Sequence, residues 1–419
     1  MQYSFPYDSF APIEVPDAMV DGVYELTPCA AGGDDVSLIR DALAHPIGSQ
    51  PLRELVRPGQ RVAIAVDDSS RSTRTDLMLP AVLAELAAAG VADADIAVFV
   101  ALGTHRKMTE AEMADKYTPA VVARYRIVNP DWRDAAAYRL VGKSTYGFDI
   151  RIHREIVEAD FVIGVGQTVP HMIAGFGGGC KIINPGCSDG DTIGHMHWMC
   201  SRVPAGQLFA VRDNAVREVI DEAALKAGLK FIINEVPGAH GLGGVFAGDP
   251  VAAHRAACEY ARESCLVKLR QRTEIVVADA YTADLDFWQA LKGLNAAAGA
   301  VKPGGTVILV SPCPEGTSSQ HEELTTIGYV EVETVQRLLA EGRIDEAVAA
   351  NLVLGRGLLE HAHAILVTHG ISREQTLAMR LEWAPTPQAA LDQAIARHGP
   401  AARINILHKA AKMICTAEN

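Results

Sequence analysis

Three short apolar runs constrain the fold of this 419-residue chain more than any other feature: RVAIAV at 61–66, IAVFVALG at 96–103 and FVIGVG at 161–166. Each passes at once into polar residues, namely Asp67-Asp68, Thr104-His105 and Gln167 to His171. A run this short, apolar throughout rather than at every second residue, reads as a strand buried on both faces. A helical pattern from Leu77 to Ala89, stopped by Gly90, separates the first two. Strand and helix alternating in this way predict an open α/β sheet with parallel strands. Ligands of such sheets bind beyond the strand carboxyl ends. Asp68, Arg71, His105 and His171 are therefore expected to meet at one crevice.

The pattern recurs further on. EIVVADAY (274–281) reads as strand then loop, DLDFWQALKGLNAAAGAV as an amphipathic helix, and GGTVILVSPC (304–313) and HAILVTHG (363–370) as strands. The expectation is two α/β domains with mainly parallel sheets: residues 1–272 for cofactor binding and catalysis, residues 273–419 to complete an active-site cleft between the domains. GAHGLGGVFAGDP (238–250) reads as an exposed turn region.

Composition excludes several classes. A net charge of −13 argues against nucleic acid as a partner. No apolar run approaches the roughly 18 residues that span a bilayer, so no membrane partner is expected. The N-terminus lacks a basic segment followed by an apolar core. The eight Cys include no CxxC pair, which fits a reducing, cytoplasmic location.

Chemistry concentrates in PHMIAGFGGGCKIINPGCSDGDTIGHMH (170–197). Glycines allow close approach to the backbone, a desolvated Lys can act as an amine nucleophile, and His carries protons or binds metals. The segment is not a P-loop: Cys180 stands where that motif needs Gly, and Ile182 where it needs Ser or Thr. In DTIGHMHWM, His195 and His197 diverge if the segment is helical, so one metal ligand is expected rather than a chelating pair. No third ligand lies nearby in sequence, which argues against a self-sufficient zinc site and a metallohydrolase. DDSSRSTR (67–74) offers hydroxyls, backbone amides and Arg71 to an anion. Gln289 and Lys292, three apart in FWQALK, share one helix face.

DDSSRST, GTH, PHxxAGFGGGCK, the later His197 and DFWQALK, in that order, resemble the nickel-dependent lactate racemase family. The spacing of ten residues from His171 to Lys181 and of sixteen from Lys181 to His197 fits that family. The resemblance implies a nickel-pincer nucleotide, the Ni(II) complex of pyridinium-3,5-bisthiocarboxylic acid mononucleotide, attached covalently to Lys181. It makes His197 the protein ligand of nickel, with His195 a neighbour. His105 and His171 become paired acid/base residues. Asp68, Ser69, Ser70 and Arg71 cradle the nucleotide; Arg71, Gln289 and Lys292 hold the substrate. The implied reaction is inversion of C2 of a 2-hydroxy acid by reversible hydride transfer, with cofactor-synthesis proteins as partners. The chain departs from the family in two places: EAVAANLVLGRG lacks an aromatic residue, and Arg74 adds a cation beside Arg71. Both point away from lactate, toward a dicarboxylate or a sugar acid. The alternative is a non-catalytic protein that binds or delivers the nickel nucleotide; it would need Lys181 and His197 but not the two other imidazoles.

Overall fold

The computed structural model describes residues 1–26, 34–238, 241–318 and 320–417. These form two compact units: residues 28–264, and residues 1–27 together with 265–419. Each unit is built on a six-stranded sheet. In chain order the strands of the two large sheets are β1 (Val20–Tyr24), β2 (Val62–Val66), β3 (Ile96–Val100), β4 (Arg126–Val128), β5 (Phe161–Gln167), β6 (Leu229–Gly238), β7 (Gly241–Gly248), β8 (Thr273–Asp279), β9 (Val301–Val310), β10 (His363–Val367), β11 (Glu382–Trp383) and β12 (Ile404–Leu407). The helices that matter below are α1 (Thr75–Ala88), α2 (Glu110–Tyr117), α3 (Gly190–Trp198), α4 (Ala215–Lys226), α5 (Pro250–Ser264) and α6 (Phe287–Ala298).

In the unit of residues 28–264 the sheet order is β7-β6-β5-β2-β3-β4, parallel except for β7, which runs antiparallel to β6. Every residue of β2, β3 and β5 is buried, as strands covered on both faces must be. Their Val and Ile side chains suit a pleated, packed surface. Helix α1 covers them with Met78, Leu79, Val82, Leu83 and Leu86. The chain runs outward from β2 through β3 to β4, then returns to place β5 on the other flank of β2. The order therefore reverses between β2 and β5, where such sheets open a crevice. Val66 is in register with both Val100 and Val165, so the segments after β2, β3 and β5 leave the sheet at one level.

The second sheet, β11-β10-β9-β8-β12-β1, is parallel throughout. The α/β class with mainly parallel sheets is as expected; the division of the chain is not. Strand β1 pairs with β12, and Tyr3, Phe5, Phe10, Ile13, Val15 and Met19 lie in the core of this second unit. Leu266–Leu269 pairs with Ile414–Ala417, which carries residues from 265 onward into it as well. The units thus divide at 27/28 and 264/265 rather than at 272/273. The segment read as an exposed turn is strand β7, hydrogen-bonded to β6; residues 239 and 240 lie outside the described residues. Seven cysteines are free, six of them buried, and Cys29 lies outside the described residues. Among the described residues no helix is long and apolar enough to cross a membrane.

Candidate active site

The segment after β2 is a turn, not a helix, so Arg71 and Arg74 share no helical face. Side chains sewn in from elsewhere hold its shape. The Lys116 ammonium on α2 donates to the carbonyls of Arg71 (2.6 Å) and Thr73 (2.8 Å). Ser72 donates to Gln167 at the end of β5 (3.2 Å), and the Arg74 amide to the Glu235 carboxylate on β6 (2.8 Å). The Thr73 hydroxyl donates to Asp67 (2.7 Å), whose carboxyl burial pushes above its ordinary range. The Arg74 cation, expected to stand beside Arg71, is paired with carboxylates. Its guanidinium is bonded to Asp76 (2.9 Å) and Asp35 (3.1 Å). Ser69 is exposed.

Asp68 is buried and its Oδ2 accepts from His105 Nδ1 at 2.5 Å. Ser70 donates through its hydroxyl (2.5 Å) and its amide (3.2 Å) to Oδ1, and Arg71 donates to the Ser70 hydroxyl (3.0 Å). Burial opposes the Asp68 charge, but the His105 imidazole, Arg71 and Ser70 outweigh it and hold the carboxyl well below the usual range. A carboxylate can only accept, so the neutral His105 ring carries its proton on Nδ1 and its lone pair on Nε2. The sequence brings Asp68 to the same crevice as His105 and, by the resemblance, Asp68 and Ser70 to the nucleotide. Their grip on His105, through residues 37 and 35 positions apart, needed the fold to appear.

Beyond β5, His171 has the opposite arrangement. Its Nδ1 accepts from the amides of Ile173 (3.1 Å) and Ala174 (3.2 Å), so the neutral ring carries its proton on Nε2. The glycine run that follows wraps against its neighbours. Gly178 and Gly179 have φ of 74° and 59°, and a Cβ at Gly179 would lie 2.5 Å from the His254 ring. Three side chains hold the run: Asn234 Oδ1 accepts the Gly179 amide (2.6 Å), His254 Nε2 donates to the Gly177 carbonyl (2.8 Å), and Arg217 donates to the carbonyls of Ala174, Phe176 and Gly178. Lys181 follows in the short 3-10 turn Gly179–Ile182. Burial of its ammonium, reinforced by Arg71 and Arg217 and opposed by Asp67 and Asp68, brings the amine down to about 7. A share of neutral, nucleophilic amine is thus present at neutral pH.

His195 and His197 both lie on α3, as expected for a helical HMH, and their rings have different partners. His195 packs on Phe148 with ring centroids 5.2 Å apart. His197 Nδ1 donates to the Ile193 carbonyl (2.8 Å), which leaves the lone pair on Nε2. That is the arrangement of a metal-binding imidazole steadied through its other nitrogen. No group of three or more His, Cys, Asp or Glu suited to a metal occurs among the described residues. A nickel ion here would draw its remaining donors from a bound organic group, and the residues present fit that demand: one imidazole with its lone pair on Nε2, one amine of lowered proton affinity.

In the second unit, Asp286 caps α6 by accepting the Gln289 amide (2.9 Å), and Lys292 donates to Gln289 Oε1 (2.6 Å), so both polar side chains share a face as their spacing predicts. Trp288 stacks on buried His321 with centroids 4.1 Å apart. Asp279, at the end of β8, accepts the amides of Tyr281 and Lys409, yet burial, aided by Asp284, raises it to about 7 from 3.8. The folded chain keeps that proton at pH values where the unfolded chain has released it. Its contribution to stability is complete below 3.8 and is lost as pH climbs toward about 7. Asp279→Asn is expected to flatten the fall in Tm over that range; an unchanged slope in thermal melts would refute it.

Two family models match the chain: the lactate racemase N-terminal domain at residues 7–207 and the lactate racemase C-terminal domain at residues 269–415. A lactate racemase of Lactiplantibacillus plantarum is 30% identical over 378 residues, 88% of each chain. One of Thermoanaerobacterium thermosaccharolyticum is 29% identical over 313 residues, 72% of each. The solved lactate racemase apoprotein from T. thermosaccharolyticum superposes with a TM-score of 0.85 at 26% identity, over 99% of this chain and all of that one. A Thermotoga maritima crystal structure shares the fold, with a TM-score of 0.77 at 20% identity over 92% of this chain and 99% of that one.

Proposed function

Because the chain belongs to the lactate racemase family and is an isomerase of that kind, we propose that it is a cytoplasmic racemase or epimerase that inverts C2 of a 2-hydroxy acid. One observation carries this reading: the buried Asp68 carboxylate grips the His105 imidazole at 2.5 Å and fixes a proton carrier at the turn after β2. Lys181 would hold a nickel-pincer nucleotide covalently, His197 would ligate its nickel through Nε2, and the Asp68–Arg71 turn would receive the nucleotide. Cofactor-synthesis proteins would be the partners that supply it. The bound group would supply a hydride acceptor for the C2 hydrogen and return it.

The protein's own part is proton handling and orientation. His105, with its lone pair on Nε2, takes the hydroxyl proton at C2. His171, with a proton on Nε2, hydrogen-bonds to the substrate oxygen; in its imidazolium form it gives that oxygen a proton and returns to the neutral ring, so one neutral and one protonated imidazole exchange roles across a turnover. Two such groups serve the two product hands. Arg71 binds the substrate carboxylate. A delivery protein would have no use for an imidazole steadied by a buried carboxylate.

The test is chiral chromatography of 2-hydroxy acids (lactate, a dicarboxylate, a sugar acid) incubated in D₂O with protein produced beside the cofactor-synthesis machinery. Inversion with the C2 hydrogen retained is expected. Deuterium appearing at C2 in step with inversion would sink the hydride reading. His197→Ala is expected to keep the covalent adduct but lose nickel by roughly tenfold or more, read by metal analysis against intact mass.

A further inference from the structure

We propose that Arg217 is the positioning residue that readies Lys181 for attachment: it fixes the glycine run from behind and places a buried positive charge beside the amine. Arg217 lies on α4, and its side chain is fully buried. It spends its guanidinium on the backbone, donating to the carbonyls of Ala174, Phe176 and Gly178 just ahead of Lys181. A buried charge ordinarily has a close counter-ion. Here the nearest carboxylate, Asp221, stands 3.8 Å away with no hydrogen bond to it, and Asp221 is itself bonded to Arg255 at 3.0 Å. Arg217 Nε has no partner. Its positive charge is thus only partly balanced, and it bonds the same Gly178 carbonyl that accepts the Lys181 amide. Ordinary loop support needs no cation, because an amide or hydroxyl can donate to carbonyls at lower desolvation cost.

The other groups around Lys181 do not duplicate this. Asp67 and Asp68 beyond β2 favour the charged amine, and Arg71 opposes it. From α5, buried His254 is bound neutral to Gly177, while Arg255 is engaged by Asp213 (2.8 Å) and Asp221. From β6, Asn234 is neutral and Glu235 is bonded to the Arg74 amide. Arg71 lies in the turn proposed to receive the nucleotide, where an incoming phosphate would offset its charge. Arg217, sealed behind the loop, keeps its influence throughout loading.

The test uses the apo protein and acetyl N-hydroxysuccinimide as probe. The neutral amine attacks the ester carbonyl, an N–C bond forms, the C–O bond to N-hydroxysuccinimide breaks, and the amine proton passes to solvent. Peptide mass spectrometry follows acetyl-Lys181 against pH. The wild-type midpoint is expected near neutrality. Arg217→Gln should raise it by about one unit, on the order of a tenfold smaller neutral fraction, and Arg217→Lys, which keeps the charge, should restore it. Asp221→Asn removes the partial counter-ion and should lower it. Opposite shifts from Arg217→Gln and Asp221→Asn are something a purely structural role would not produce. A folded Arg217→Gln with a wild-type midpoint overturns the proposal, and so does Asp221→Asn failing to lower it, a result that stands even if Arg217→Gln does not fold. The link to cofactor attachment rests on the racemase reading, but the acetylation profile does not. Shifted midpoints in a protein that acquires no adduct would leave Arg217's role intact and refute that reading instead.

Discussion

Asp68→Asn is expected to lower kcat, per adduct-bearing molecule, by roughly 10²–10⁴-fold, the range that general acid–base catalysis spans. The carboxylate accepts the Nδ1 proton of His105 at 2.5 Å and so keeps the lone pair on Nε2. An amide at 68 can turn its NH₂ toward Nδ1, which then becomes the acceptor and leaves the proton on Nε2, the wrong tautomer for a base. The substitution is nearly isosteric, so Ser70 can still donate to the remaining oxygen and the turn should persist. The imidazole ¹⁵N shifts of His105 should exchange between the two neutral patterns while those of His171, set by backbone amides, stay put. Wild-type turnover, or unchanged His105 shifts, would remove Asp68 from the proton path.

Lys181→Ala is expected to abolish both the covalent adduct and measurable racemisation. Intact mass gives the first result independently of any substrate: wild-type protein from cofactor-producing cells gains several hundred daltons and nickel, whereas the variant keeps its sequence mass. Lys181→Arg is the sharper control. It preserves a cation among Asp67, Asp68 and Arg71, yet a guanidinium stays protonated at any physiological pH and is no nucleophile. It too should remain unmodified. An adduct on either variant would move the tether elsewhere. The Lys181 amine sits near 7 because burial outweighs two neighbouring carboxylates, so loss of modification below about pH 6 is a corollary.

The sequence disclosed most where chemistry and periodicity coincide. Apolar runs with polar ends marked β2, β3, β5, β8, β9 and β10, because a strand buried on both faces has no room for anything else. The helical reading of HMH predicted that His195 and His197 would part, and they have different partners. What stayed hidden is held by long-range contacts. Lys116, Glu235 and Arg217 look like ordinary surface residues in their own segments and become struts only when α2, β6 and α4 are brought to the loops they brace. Arg74 misled for the same reason, since Asp35 lies 39 residues away. Strand β1, VDGVY, carries too little apolar pattern to be read as part of a sheet completed by the last strands of the chain.

That last pairing governs how the polypeptide can be made. The ribosome delivers β1 and the aromatic residues Tyr3, Phe5 and Phe10 before residues 28–264, but their sheet gains its neighbour β12 only after them. Residues 28–264 emerge in between with a complete sheet of their own. The segment that carries β1 must therefore wait without its sheet partner while residues 28–264 fold. A truncation that keeps residues 1–27 but discards the C-terminal third would leave that waiting permanent, and such a fragment is better begun after the leader strand than at Met1.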